Sequence, residues 1–187
     1  MTAAVKTGGL VEATSADYVV YRHNVVHRDQ AFKDAASVWG EEEKQHGAAL
    51  AKWAELVDPG FNFEHSLTRF RAGYQLPLDS EQSVRGSPAG ELLARCVVES
   101  GTCSYYSAMR DYADEPVLRQ ICQRIAHDEA HHYQLFKTHY ARYPRLSWWK
   151  RIKIALGRVH ETGDDELGYA WFSATTPDDT AETDYNR

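Results

Sequence analysis

The chain reads as an all-α protein: a four-helix bundle with one long crossover and an extra C-terminal helix. Three observations point there. Apolar residues recur at helical spacing through long stretches, as in Phe32, Trp39, Leu50, Trp53 and Val57. Helix stop and start signals punctuate the chain at Asp58-Pro59-Gly60, Ser87-Pro88, Asp114-Glu115-Pro116 and Pro144. Finally, one arrangement of glutamates and histidines occurs twice, at nearly equal separations.

In chain order, residues 1 to 7 are expected to be loose. Helix A should run from about Gly8 to Asn24, with Glu12, Ala16 and His23 on one face. His23 and His27 read as solvated or structural. Helix B should cover about Asp29 to Val57. A helix cannot point three consecutive residues the same way, so of Glu41, Glu42 and Glu43 only Glu43, in register with Trp39, His46 and Leu50, takes the inner face. Residues 61 to 86 form the crossover, with a short amphipathic helix over Phe61–Phe70 that turns Phe63, Leu67 and Phe70 inward. His65 reads as surface or packing, and the remainder to Gly86 as loop.

Ser87-Pro88 is an N-cap followed by Pro at the first helical position. Helix C should run from there to about Tyr112, with Leu92, Cys96, Glu99, Cys103 and Tyr106 inward. Helix D should follow from about Glu115 to Arg142, capped by Asp114. The segment Ser147–Arg158 is an amphipathic basic helix. Such helices can bind membrane surfaces or acidic partners, but the simpler expectation packs Trp148, Ile152 and Leu156 on the bundle. A short helical piece is expected near Asp165–Ala174, and residues 175–187 read as a disordered acidic tail. The whole is one domain over residues 1–174, with a core at about 8–143 and an extension at about 146–174.

The 187 residues are enough to bury a full four-helix core. Hydrophobic content of 43%, charged content of 26% and a mean hydropathy of −0.57 describe an ordinary globular chain. A formal charge of −6 argues against general nucleic-acid binding. No signal peptide or membrane span is visible, and the cytoplasm is the expected compartment. Cys96, Cys103 and Cys122 lack metal or disulfide spacing and read as small core residues.

Glu129 and His132 lie three residues apart, so a helix points both the same way, one turn apart. Leu118, Ile125 and Phe136 share that face, so the pair looks inward. Glu43 and His46 repeat the spacing. Glu12 precedes the first pair and Glu99 the second. If each pair of glutamates faces across an antiparallel hairpin, the turns must fall at the midpoints. Those midpoints lie between His27 and Arg28, beside Asp29, and at Asp114, where turn chemistry is present. One Glu from each of two helices and a Glu-x-x-His from each of the others is the ligand pattern of dimetal carboxylate bundles. Four carboxylates and two imidazoles suit two Fe(II) or Mn(II) ions. Glu42 and Asp128, each beside a ligand glutamate, are the expected outer partners of the opposite histidines.

Over residues 8 to 143 the sequence resembles the ferritin-like diiron carboxylate superfamily. Two stretches are most similar to the acyl-carrier-protein desaturases: Trp39 to Gly47, with Glu-Glu-x-x-His-Gly, and Ile121 to His132, with Ile-Ala-x-Asp-Glu-x-x-His. Glu99-Ser100-Gly101-Thr102 matches their Glu-x-x-Thr. Glu12 is assigned by spacing, and the chain is much shorter than those enzymes.

The resemblance implies a ferritin-like bundle holding two iron ions, with manganese an acceptable occupant of either site. Glu12, Glu43, His46, Glu99, Glu129 and His132 are then the ligands. It also implies a catalytic Thr102 lining a dioxygen pocket, whose neighbours Gly101 and Cys103 keep volume small. The implied activity is oxidation of a small or carrier-bound organic substrate by dioxygen, in the manner of a desaturase or hydroxylase. A separate electron donor is then needed, because no flavin or nicotinamide fingerprint is present. A homodimer is compatible with this reading. Iron storage, as in ferritins, is the alternative. A rubrerythrin-like peroxidase fits less well, since Thr102 stands where those proteins carry another glutamate.

Overall fold

A computed structural model describes residues 1–161 and 166–176. Among these the chain is all-helical: α1 (Thr2–Glu12), α2 (Ser15–Val25), α3 (Gln30–Val57), α4 (Phe63–Gly73), α5 (Pro88–Tyr112), α6 (Pro116–Tyr140), α7 (Trp148–Glu161) and α8 (Leu167–Thr175). They group into two compact units. One comprises residues 1–18, 40–76 and 161–187, the other residues 19–39 and 77–160. Most of the expected acidic tail lies outside the described residues, although Thr175 closes α8.

In the first unit, helix A departs from expectation. Residues 1 to 7 are helical rather than loose, and the chain breaks at Ala13-Thr14 into α1 and α2. Thr and Ser compete with the helical backbone through their own hydroxyls, and here they do so in succession. Thr14 Oγ1 donates to the Val11 carbonyl at 2.7 Å, and Ser15 Oγ donates to the Gly40 carbonyl at 3.0 Å. The Ala13 carbonyl accepts from Arg71 Nη2 at 3.1 Å. Small residues bring α1 onto α3: a Cβ added at Gly47 would lie 2.9 Å from the Ala13 backbone nitrogen.

Helix α8 completes this unit. Its Tyr169, Ala170 and Ala174 share one apolar cluster with Leu10, Ala51, Phe63, Leu67 and Phe70. Gly73 leaves the space that Tyr169 occupies. Arg69 Nη2 closes the C-terminal end of α8, donating to the carbonyls of Ser173 and Thr176 at 2.7 and 2.8 Å. These are carbonyls that a helix end otherwise leaves to water.

The second unit is organised on the α5–α6 hairpin. Ser87 caps α5 by accepting from the Gly90 backbone N–H at 3.1 Å. The cap of α6 is Glu115, not Asp114. Its carboxylate accepts from the N–H groups of Val117 and Leu118 at 2.8 and 2.7 Å, where the helix dipole favours negative charge. Arg119 donates back to the Ala113 carbonyl and closes the turn. Asp29 caps the start of α3 and also pairs with Arg142 at 3.1 Å, which ties that start to the end of α6. Phe32, Trp39, Leu92, Tyr106, Leu118, Ile125 and Phe136 are buried in this unit.

Helix α7 corrects another expectation. Trp148 and Leu156 do not pack inward; they are 62% and 67% exposed, while Ile152 is half-buried. The residue that docks is Ile154, whose Cδ1 lies against Gly90 at the start of α5.

The Gly47 crossing yields a stability test. Gly47→Ala forces backbone apart and should destabilise the protein by about 1–3 kcal/mol. Gly101→Ala meets nothing within 4 Å and should stabilise by up to about 1 kcal/mol through helix propensity. Denaturant melts followed by circular dichroism measure both; equal effects of the same sign would refute the close crossing.

Candidate metal centre

Each unit gathers one buried triad. In the first, α1 ends at Glu12, and α3 carries Glu43 and His46 one turn apart. The backbone approach at Gly47 sets α1 against α3 next to His46. All three side chains are buried, and each offers a ligand atom within 4.8 Å of the others. His46 Nδ1 lies 3.5 Å from Glu43 Oε2.

In the second unit, α5 supplies Glu99 and α6 supplies Glu129 and His132. These too are buried, with ligand atoms within 4.8 Å of one another. His132 Nδ1 stands 3.7 Å from Glu129 Oε1 and 4.0 Å from Glu99 Oε2. The Trp39 indole meets the His132 ring edge-on, with centroids 6.4 Å apart.

Thr102, one turn beyond Glu99, donates from Oγ1 to Glu129 Oε2 at 2.5 Å; the carbonyls of Val98 and Glu99 are each 3.2 Å away. A hydroxyl has one proton to give, and the carboxylate is the nearest and strongest acceptor. Thr102 therefore holds a glutamate of the triad. Gly101 does not help to shape this site. It is exposed, with open space where a Cβ would be. Cys103 is half-buried, and its thiol donates to the Ala126 carbonyl.

Two further groups escaped the sequence reading. Arg95 donates from Nε to Glu99 Oε1, and its guanidinium lies over the Trp39 ring at 4.6 Å. Arg22, 2% exposed, lies over the same ring at 4.5 Å. The four-residue step from Arg95 to Glu99 is the one signal that was available, since such pairs meet on a helix surface. No comparable local signal marks Arg22, which sits on a different helix.

The expected outer partners are placed differently from each other. Glu42 is exposed, while Asp128 is half-buried with its Oδ1 3.6 Å from His127 Nδ1. His127, Asp128 and His131 form a third group of convergent donors, on the outer side of α6. Two buried carboxylates lie away from the triads. Glu91 accepts from Tyr21 and Ser83 at 3.2 and 2.8 Å, and Glu166 accepts from Tyr18 at 2.5 Å. Burial, reinforced by the Glu91 charge, raises the Tyr21 phenol above its ordinary range.

Two carboxylates and an imidazole gathered out of water suit a divalent cation. Ionised carboxylates are costly to bury together unless a positive charge offsets them. The donors are oxygen-rich with one nitrogen and offer no thiolate. No cysteine belongs to any of these groups among the described residues. Burial pushes the Cys96 and Cys122 thiols up to about 11, so both stay protonated and poor ligands at neutral pH.

Comparison with protein-family models, curated proteins and solved structures finds no match.

The thiol environments are directly testable. At pH 8 a thiol with pKa near 11 is only about one part in a thousand thiolate. Iodoacetamide should therefore modify at most Cys103 in the native protein and all three cysteines after denaturation. Mass spectrometry of the intact chain distinguishes one adduct from three. Rapid native labelling of Cys96 or Cys122 would show that the packing around the triads is open.

Proposed function

We propose that this protein is a ferritin-like, non-haem dimetal carboxylate oxidoreductase that uses dioxygen to oxidise an organic substrate, as a desaturase or hydroxylase does. The observation that carries the reading is the recurrence of a buried triad, one Glu plus one Glu-x-x-His, in each compact unit. In this proposal Glu12, Glu43 and His46 hold one metal ion and Glu99, Glu129 and His132 the other. Iron is the expected metal, with manganese an alternative at either position. Two bound ferrous ions would supply the electrons that reduce dioxygen to a state able to attack a C–H bond.

The chain's own residues have definable tasks in this scheme. Thr102 fixes the orientation of Glu129 through its hydrogen bond. Arg95 offsets part of the Glu99 charge and limits how much cation the second triad requires. Trp39, Leu118, Ile125 and Phe136 exclude water from the second triad's surroundings. Removing two hydrogens from a substrate while reducing dioxygen to water takes two further electrons and two protons. A separate reductase must deliver those electrons.

Purified protein should contain close to two transition-metal ions per chain, measured by elemental analysis. His46→Ala and His132→Ala should each remove at least one. A single zinc ion indifferent to both substitutions would sink the proposal. Iron uptake far beyond two ions per chain would instead favour storage, as in ferritins.

Thr102→Val is nearly isosteric and deletes only the hydrogen bond to Glu129. It should keep the metal content and slow oxidation of the ferrous protein about tenfold, the scale typical of a lost outer partner. Stopped-flow absorbance on mixing with oxygen reads the rate; wild-type kinetics would relieve Thr102 of any role.

A further inference from the structure

Helix α7 is amphipathic, yet its apolar stripe is the side it turns outward. At about 100° per residue, Trp148, Ile152, Leu156 and Val159 fall in one quadrant of the helix, with Trp149 at its edge. Ile154, which touches the start of α5 beside Gly90, lies almost diametrically opposite. The exposures follow this geometry except at Ile152, which is half-buried: Trp149 and Val159 are 74% and 66% exposed, in line with Trp148 and Leu156. Two adjacent indoles and two aliphatic side chains thus face solvent together, which isolated surface hydrophobes do not do.

The charge around the stripe says what fits it. From Arg145 to Val159 the chain carries Arg145, Lys150, Arg151, Lys153 and Arg158 and no acidic residue, within a protein of net charge −6. Lys153 flanks the stripe on one side and Arg151 on the other. We infer that α7 is a peripheral membrane anchor, which lies in the plane of an anionic lipid surface with Trp148, Trp149, Leu156 and Val159 among the acyl chains.

The physics matches that occupant closely. Indoles favour the headgroup boundary, where the ring is sheltered and its N–H stays wet. Long Lys and Arg side chains reach outward to lipid phosphates from either flank of the buried face. A second copy of the chain is a worse partner. Pairing two identical stripes would bring two rows of cations together, with no acid on either side to offset them. The anchor also suits an apolar substrate, which a membrane-bound enzyme meets at the bilayer rather than in water. That last point rests on the proposed oxidase reading; the anchor itself does not.

The test is cosedimentation of the full-length protein with vesicles of phosphatidylcholine alone or mixed with phosphatidylglycerol. Wild-type protein should pellet with the mixed vesicles and not with the neutral ones. Its tryptophan emission should shift to the blue, and added salt should weaken binding. Trp148→Ala/Trp149→Ala and Lys150→Glu/Lys153→Glu should each lower the partition constant at least about tenfold. Circular dichroism and metal content should stay unchanged, since these side chains are exposed and remote in sequence from both triads.

Failure to bind the anionic vesicles overturns the proposal, as does binding that survives both double substitutions. A concentration-dependent dimer abolished by the tryptophan substitutions would assign the stripe to a second copy, and tight binding to an acidic protein without any vesicle binding would assign it to that partner. Either would leave the metal measurements standing, so failure of the anchor and failure of the dimetal reading remain distinguishable.

Discussion

Burying glutamate is the constraint around which both units are built. A carboxylate removed from water loses several kcal/mol of hydration unless something positive or hydrogen-bonding replaces it. Each unit places two glutamates and a histidine in that position. In the second unit part of the replacement is visible: Arg95 reaches Glu99 and Thr102 reaches Glu129. These contacts leave the imidazole and the other carboxylate oxygens facing one another, which is the arrangement a divalent cation completes.

The two units reach similar chemistry by different construction. In the second, a hairpin with firm caps holds Glu99, Glu129 and His132, and the Glu115 cap and the Arg119 contact close its turn. In the first, Glu12 is the last residue of a short helix. The glycine crossing and the hydrogen bonds around Ala13–Ser15 hold that end of α1 in place. Helix α8 then covers α1 and α4 through Tyr169 and Ala170, so the C-terminal segment is part of the core of this unit.

Aromatic residues connect core packing to site electrostatics. Trp39 lies nearly perpendicular to the His132 ring and carries two guanidinium groups over its own. The indole thus serves as wall, packing element and cation platform at once. The Arg95 guanidinium, paired with Glu99, lowers the energetic cost of burying that carboxylate. Cations also flank the apolar stripe of α7, where Trp148, Trp149, Leu156 and Val159 are exposed.

Much of this was legible in the sequence because it depends on neighbours along the chain. Asp29, Ser87-Pro88 and Asp58-Pro59-Gly60 bound their helices through local hydrogen bonds and the fixed geometry of proline. The three-residue step in Glu43/His46 and Glu129/His132 puts each pair on one helical face whatever surrounds it. The break at Ala13-Thr14 was not legible, since it is held by Arg71 and Gly40, which come much later in the chain. Nor was the role of Thr102, because its hydroxyl chooses among acceptors that only folding assembles. The amphipathic pattern of α7 was plain, but a pattern defines a face and not its direction. What the sequence by itself determined were helices, their ends and the faces of their ligand pairs, all set by interactions within a few residues. Only the tertiary structure decided which faces meet, which acceptor the Thr102 hydroxyl takes and which apolar stripe stays outside, because those depend on contacts between residues that the chain separates widely.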